Sequence, residues 1–471
     1  MSDAPARSTR PHRAPQHRAL QSRTLHLVRA FRDRVIARLG ALGTDTEAAL
    51  LALAVPIGIL TALGVLAFYR GIALAHLLLL TYPAVWLPMA GLIVLRLAAT
   101  GTAFALARVT MRSIGRGAEG LNVPDLQDAV RRRRGRVPPR PALGRTLASA
   151  ITIGGGGSAG SEGPVVVMGA ALASWLGRMF RYRADQLRVL VACGAAAGIA
   201  AAFNAPLAGA FFALEEILGT FTGGHFSPVV VAAVIAAVVS RGVFGAEPAF
   251  PIPGELGALS AWEIAVFIPA LGVLCALMST LFVRSYFRLE AVAQRGVIPA
   301  WALPWVGGVL VGSLILLTGG AVAGDSHFAA PLDLFGRLPW YTLLALAAAK
   351  ILATSLTLNF GGSGGVFTPA LFVGAATGGA FGAIVAAAFP SLGIDPALYS
   401  LAGMGALVAG STGAPITGIL LVFEMTHDFT LVMPLMLAVV VCKTVMRRYE
   451  RDSLYSGWLR RRGRAVPTAH V

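Results

Sequence analysis

The sequence predicts an all-α polytopic membrane protein built as two related halves with broken helices. Composition is the first reason. Of 471 residues, 56% are hydrophobic and 13% charged, whereas a soluble chain carries about a quarter charged residues. The second reason is the recurrence of apolar runs: Ala48–Phe68, Leu87–Ala107, Pro228–Val239, Ile264–Phe282, Trp305–Leu317, Leu343–Leu358, Val366–Phe389 and Leu431–Cys442. Several reach the ~20 residues that span a bilayer, and the others are short or interrupted by Gly and Pro. The third is an internal repeat, described below.

The net charge of +17 is mostly arginine, clustered at Arg7–Arg38, Arg131–Arg145, Arg178–Arg188 and Arg447–Arg464. Basic clusters bind nucleic acid in soluble domains, but beside membrane spans they follow the positive-inside rule. That rule places both termini and the two interior clusters in the cytoplasm. No nucleic-acid partner is expected, and the basic tails are expected to rest on anionic membrane lipid. Cys193, Cys275 and Cys442 lie far apart in apolar segments, without metal-ligand or CxxC spacing, and read as small buried residues. The first forty residues lack the pattern of a cleaved signal peptide. They read as a basic cytoplasmic tail (1–40), followed by a transmembrane domain (41–464) and a short tail (465–471).

In chain order, Thr24–Gly40 reads as a surface helix, and Ala48–Tyr69 and Leu87–Arg108 as long spans. Pro124 with Asp125 marks a helix start after Gly120-Leu121-Asn122, because proline suits the first turn. That helix runs into Arg131–Arg136, so its start points inward. Arg145–Ile153 leads to the stretch Gly154–Gly177, where Pro164 opens another helix. Glycines ahead of it leave N–H groups uncovered at a positive helix end, an anion site with Glu162 tethered beside it. Small residues also serve close packing of membrane helices, but an ionisable residue at membrane depth points to function. Leu187–Phe203 rises again, Asn204-Ala205-Pro206 breaks it, and Leu207–Leu214 leads to Glu215-Glu216 on the cytoplasmic side. Pro228–Arg241 and Trp262–Arg288 are further spans, and the polar link Arg295–Pro299 enters the second half. The halves fall at about 48–245 and 262–447, with a pore-facing helix over 452–464.

Leu147–Gly177 placed over Leu352–Gly382, a shift of 205, gives twelve identities in thirty-one positions, among them Gly157/Gly362, Gly160/Gly365, Pro164/Pro369 and Gly169/Gly374. Arg145 lies opposite Lys350. A second block, Gly194–Glu215 over Gly403–Glu424, repeats with a shift of 209 and pairs the breaks Ala205-Pro206 and Ala414-Pro415. Two halves with breaks in corresponding positions point to a transport site at their interface. Helix starts at Pro124, Pro164 and Pro369, and one near Asp452–Tyr455, would meet near the bilayer midplane. Positive helix ends without a full lysine or arginine charge hold a small anion without trapping it.

These residues resemble the CLC family of chloride channels and proton-coupled chloride transporters. Gly160-Ser161-Glu162-Gly163-Pro164 is similar to its G-[RK]-E-G-P motif, Gly364–Pro369 to its GxFxP motif, and Gly120-Leu121-Asn122-Val123-Pro124 to a degenerate G-S-G-I-P. Ser453–Ser456 resembles its late tyrosine segment, and Asn204–Glu216 is a further match. The resemblance covers about Ala48 to Arg460. It implies an inverted repeat of broken, tilted helices and a homodimer with one pore per subunit, in the inner membrane of a bacterium. It implies that Glu162 is the outer gate and Glu216 the inner proton-transfer acid. The N–H groups of Val366 and Phe367 and the hydroxyl of Tyr455 would hold the anion, with Gly163, Leu121 and Asn122 beside it. The chemistry agrees: low dielectric and a neighbouring anion favour the neutral form of a carboxyl, while helix N-termini oppose this. Such a group exchanges a proton for an anion.

Two departures bear on the substrate. Leu121 stands where the family motif has the chloride-coordinating serine, and Asn122 where it has glycine. The anion preference is therefore open among chloride, nitrate, bromide and similar monovalent anions, with Asn122 a replacement donor. Ser161 stands where the motif has a basic residue. Glu215, not Glu216, has a repeat partner, Glu424, which suggests a structural role for Glu215. Proton-coupled antiport is the expectation, and a passive anion channel of the same fold is the alternative. A membrane-embedded enzyme is a third reading, but HExxH, a catalytic GxSxG and GxxxxGK[ST] are lacking. His427-Asp428 reads as a helix-end loop, and no metal or cofactor is expected.

Overall fold

The computed structural model describes residues 46–115, 121–245, 259–325 and 338–464. The surface helix expected over Thr24–Gly40, Gly120 and the tail 465–471 lie outside these residues. Contacts divide the chain into Met1–Ala49 and Leu50–Val471, and the helical body is the second.

The first half comprises α1 (Thr46–His76), α2 (Met89–Ser113), α3 (Val123–Arg132), α4 (Pro139–Gly154), α5 (Glu162–Met179), α6 (Ala184–Phe203), α7 (Pro206–Phe212) and α8 (Gly223–Phe244). A π-helical turn, Ala213–Leu218, continues α7. The second half comprises α9 (Ile268–Gln294), α10 (Leu303–Leu317), α11 (Trp340–Asn359), α12 (Phe367–Ala388), α13 (Pro396–Thr412), α14 (Pro415–Thr426), α15 (Val432–Tyr449) and α16 (Leu454–Arg461). Among the described residues, eight helical stretches are long and apolar enough to cross a membrane. The only pairing of strand type among them is one antiparallel bridge, Gly160 with Gly365. α6 is apolar all round, as a helix surrounded by protein should be, and 83% of its most apolar window is buried.

The four helix starts expected from the sequence are present. Pro124 is the second residue of α3, and Pro164 and Pro369 are the third residues of α5 and α12. There the missing N–H costs nothing, because the first turn has no intrahelical acceptor. Ser453 caps α16 by accepting from the Ser456 N–H at 3.2 Å.

A pseudo-two-fold relation joins the halves, and hydrogen bonds spell it out. The loops before α5 and α12 exchange a pair of backbone bonds: the Gly160 N–H donates to Gly365 O at 2.9 Å, and the Gly365 N–H to Gly160 O at 2.7 Å. The Ser158 N–H donates to Thr357 Oγ1 at 3.1 Å, and the equivalent Ser363 N–H to Thr152 Oγ1 at 3.0 Å. Ser158 Oγ pairs with Thr354 Oγ1 at 3.1 Å, and Ser363 Oγ with Ser149 Oγ at 2.8 Å. Each bond has its image at a shift of 205. Irregular backbone at membrane depth must find partners inside the protein, and here the other half supplies them.

The shift of 209 carries a second exchange. Glu424 accepts from the N–H groups of Leu207 and Ala208 at 2.9 and 2.7 Å, capping α7. Glu215 accepts from Ile416 and Thr417 N–H at 3.1 and 2.9 Å, capping α14. Each half therefore caps a broken helix of the other, and the structural role expected for Glu215 is what the geometry shows. Small residues close the remaining contacts: a Cβ on Gly169 would run into the Gly194 carbonyl, and one on Gly374 into that of Gly403. The three cysteines are buried thiols. His427 adopts a left-handed conformation at the end of α14, and Asp428 caps the next turn through the Thr430 N–H at 2.8 Å, the helix-end loop expected.

Replacing Glu424 with alanine leaves the part-buried Leu207 N–H and the buried Ala208 N–H without an acceptor and should cost about 2 kcal/mol of stability. Thermal denaturation in detergent measures this; an unchanged transition would show that these N–H groups have another acceptor.

Candidate functional site

The two Gly-rich loops place the starts of α5 and α12 against each other. Glu162 is the first residue of α5 and is 1% exposed. Its carboxylate leaves its own helix and sits on the other: the Phe367 N–H donates to Oε1 at 2.6 Å, and the Thr368 hydroxyl to Oε2 at 2.9 Å. One donor is an unsatisfied N–H of the first turn of α12, where a helix end favours negative charge. The seat is narrow. A Cβ on Gly160 or on Gly365 would collide with the Glu162 carboxylate, so a side chain at either position would push the acid off its seat. The Tyr69 hydroxyl lies 3.3 Å from Ser161 Oγ, beside the acid.

Asn122, Gly163, Val366 and Tyr455 line one cavity of about 340 Å³ together with Arg145. The N-termini of α3, α5, α12 and α16 therefore open on a common space. Asn122 precedes α3; its backbone N–H donates to Asp125 at 2.8 Å, and its buried Oδ1 has no partner. Leu121 is 5% exposed and belongs to the apolar core, so it supplies no donor. Arg145 is 8% exposed and donates from Nη2 to Gly364 O at 3.1 Å, holding the loop that delivers Val366 and Phe367. The Phe367 ring stands edge-on to Phe212 of α7, centroids 6.2 Å apart.

Glu216 stands apart from Glu162, in the π-helical turn after α7. It accepts from Gln127 Nε2 of α3 at 2.7 Å, and Gly413 backs its carboxylate. Glu215 turns the other way to cap α14, so two adjacent acids have separate tasks. Sequence reasoning missed Gln127 and Thr368 as partners of the two acids. Thr368 occupies a variable position of its motif. Gln127 lies one helical turn after Asn122–Pro124, and its position in that helix is the one signal that pointed to it.

The family model described as voltage gated chloride channel matches residues 101–447. The chain belongs to that family. The H(+)/Cl(-) exchange transporter ClcA of Yersinia pestis is 32% identical over 438 residues, covering 88% of each protein. Among solved structures, a slow cyanobacterial Cl-/H+ antiporter superposes on the CLC chain with a TM-score of 0.75. The two are 27% identical, over 89% of this chain and 98% of that one. A CLC-type fluoride/proton antiporter gives a TM-score of 0.69 at 22% identity, covering 88% of this CLC chain and 98% of its own, a likeness of fold.

Proposed function

We propose that this CLC protein exchanges chloride or a chloride-like monovalent anion for protons across the membrane. The observation that carries the proposal is the Glu162 carboxylate seated on the Phe367 N–H and the Thr368 hydroxyl. A tethered anion already occupies donors suited to a free one. Charge-assisted hydrogen bonds hold it while it is ionised. Once protonated, it loses that charge, the donors bind it less well, and the carboxyl moves aside. A free anion then takes the seat, held by the N–H groups of Val366 and Phe367, with the Tyr455 hydroxyl on its inner side. When the carboxylate returns it must shed its proton, and it displaces the anion as it does so. One seat contested by two anions links the two flows.

Glu216 is the inner acid in this reading, oriented by Gln127 and charged from the cytoplasmic side. Gly163 lets α5 approach the α12 loop: a Cβ there would meet Gly365 Cα at 3.2 Å. Leu121 and Asn122 border the inner approach. With no hydroxyl at 121, anion selection falls to the backbone N–H groups, the Tyr455 hydroxyl and Asn122. In this reading the basic clusters and both termini face the cytoplasm, the membrane is a bacterial inner membrane, and its family makes a homodimer the expected assembly.

Purified protein in liposomes, given an anion gradient, should drive protons uphill, recorded with pH and anion electrodes together. Anion movement without protons would make the protein a passive channel instead. Glu162→Gln removes the titrating group and should reduce proton movement to background while anions still pass; protons that keep moving would sink the gate assignment. Thr368→Val removes one charge-assisted donor to the carboxylate, worth about 1.5 kcal/mol or more. The free anion should then displace Glu162 more readily, with roughly tenfold tighter binding by isothermal titration calorimetry at a pH where Glu162 is ionised.

A further inference from the structure

Beyond the seat of Glu162, the turn that follows α10 folds onto the loop that leads to the acid. The Gly324 N–H donates to Gly156 O at 3.4 Å, and the Ala159 N–H donates to Gly324 O at 3.3 Å. Lys350 of α11 is fully buried and donates from Nζ to Val322 O at 3.1 Å and Gly324 O at 3.2 Å. The turn is therefore fixed on two sides. α1 leaves the cytoplasmic tail and runs on through a π-helical turn to Ala84; His76, at the far end of its regular part, has its ring 3.2 Å from Gly154 O, so this corner lies on the outer side in the orientation proposed above.

The turn delivers Asp325, which is 8% exposed. Among the described buried acids it is the one with both carboxylate oxygens unbonded. The others are tied: Glu162 to α12, Glu424 to α7, Glu263 to Ser260 and Tyr399, Asp125 to Arg464, and Asp128 to arginines. Such isolation is costly for a merely structural acid. Asp325 also lies within electrostatic reach of Glu162, Lys350 and Tyr69. Among the described residues, these are the titratable groups within its electrostatic reach. Ser161 supplies no charge where the family motif carries a cation.

We propose that Asp325 is a proton-carrying group for Glu162, passing protons between the outer solution and the gating carboxyl. Having no hydrogen bond to break, it can accept a proton on either oxygen and turn. The neutral acid gives its proton to the ionised Glu162 carboxylate and becomes a carboxylate near the Lys350 ammonium. Water on the outer side then returns a proton to it; the reverse sequence runs in the opposite direction. The inference rests on the antiport reading and adds the group that connects Glu162 to bulk water.

The test is paired proton and anion flux in liposomes for the parent, Asp325→Asn and Asp325→His. Asparagine keeps the shape without titrating. It should lower proton flux, and the anion flux coupled to it, by roughly tenfold, because an ionised Glu162 keeps its seat. Histidine titrates near neutral pH and should restore proton flux with a pH profile displaced upward. An Asp325→Asn protein with the parental proton flux would overturn the proposal. So would a loss of both fluxes in equal measure that histidine does not relieve, since that would assign Asp325 to folding. Parent protein that moves anions without protons would overturn the antiport reading itself and the relay with it.

Discussion

The exchange of backbone hydrogen bonds between Gly160 and Gly365 is the constraint on which the rest of the site depends. A loop in the middle of a membrane cannot leave its amides to water, and neither Gly-rich loop has enough internal partners. Each is completed by the other, first through the glycine pair and then through the reciprocal serine and threonine bonds. Because the loops are held this closely, the first turn of α12 arrives within hydrogen-bond distance of a side chain from the first turn of α5. The cross-caps by Glu215 and Glu424 repeat the same solution one helix pair further on. Broken helices in a bilayer need acceptors for their orphan N–H groups, and two related halves provide them for each other.

The buried cations near this interface are committed elsewhere. Arg145 donates to the carbonyl of Gly364, and Lys350 to those of Val322 and Gly324. Both hold loop backbone in place, and at the contacts described neither meets the Glu162 carboxylate. What faces the seat is a peptide N–H and a hydroxyl, dipoles without a net charge. A full positive charge at that spot would bind an anion too well to release it, whereas dipoles give attraction that a returning carboxylate can overcome. The basic residues thus shape the site through its loops, and none of them is a direct hydrogen-bond partner of the Glu162 carboxylate at the contacts described.

Much of this was readable from the chain. Apolar runs, proline-marked helix starts and the two repeat shifts led to the halves and to the meeting of α5 with α12. The pairing of Glu215 with Glu424 was also visible, because the repeat aligned them. That each glutamate caps the helix of the opposite half was not, since a shift says which residues are equivalent and not which ones touch. Gln127 and Thr368 stayed hidden for a similar reason: their roles are defined by the acid they meet across the interface. Asp325 is the extreme case. In a Gly/Ala link an aspartate reads as a solvated turn residue, and only the fold of that link onto Gly156–Ala159 removes it from water.

Symmetry also explains why there is one acid at this interface and not two. The repeat partner of Glu162 at a shift of 205 is Phe367, the residue whose N–H receives the Glu162 carboxylate. Equivalent positions in the two halves thus hold the two sides of one hydrogen bond, an acid in one half and an amide donor in the other. A second acid at 367 would bring two carboxylates together at the interface, where their repulsion would be unscreened. An amide-only pair would leave a site with no tethered competitor, which is a channel. A single acid on a symmetric frame gives a seat that the protein itself fills, and in the proposed exchange it is this asymmetric occupant that a free anion would replace on a two-fold scaffold.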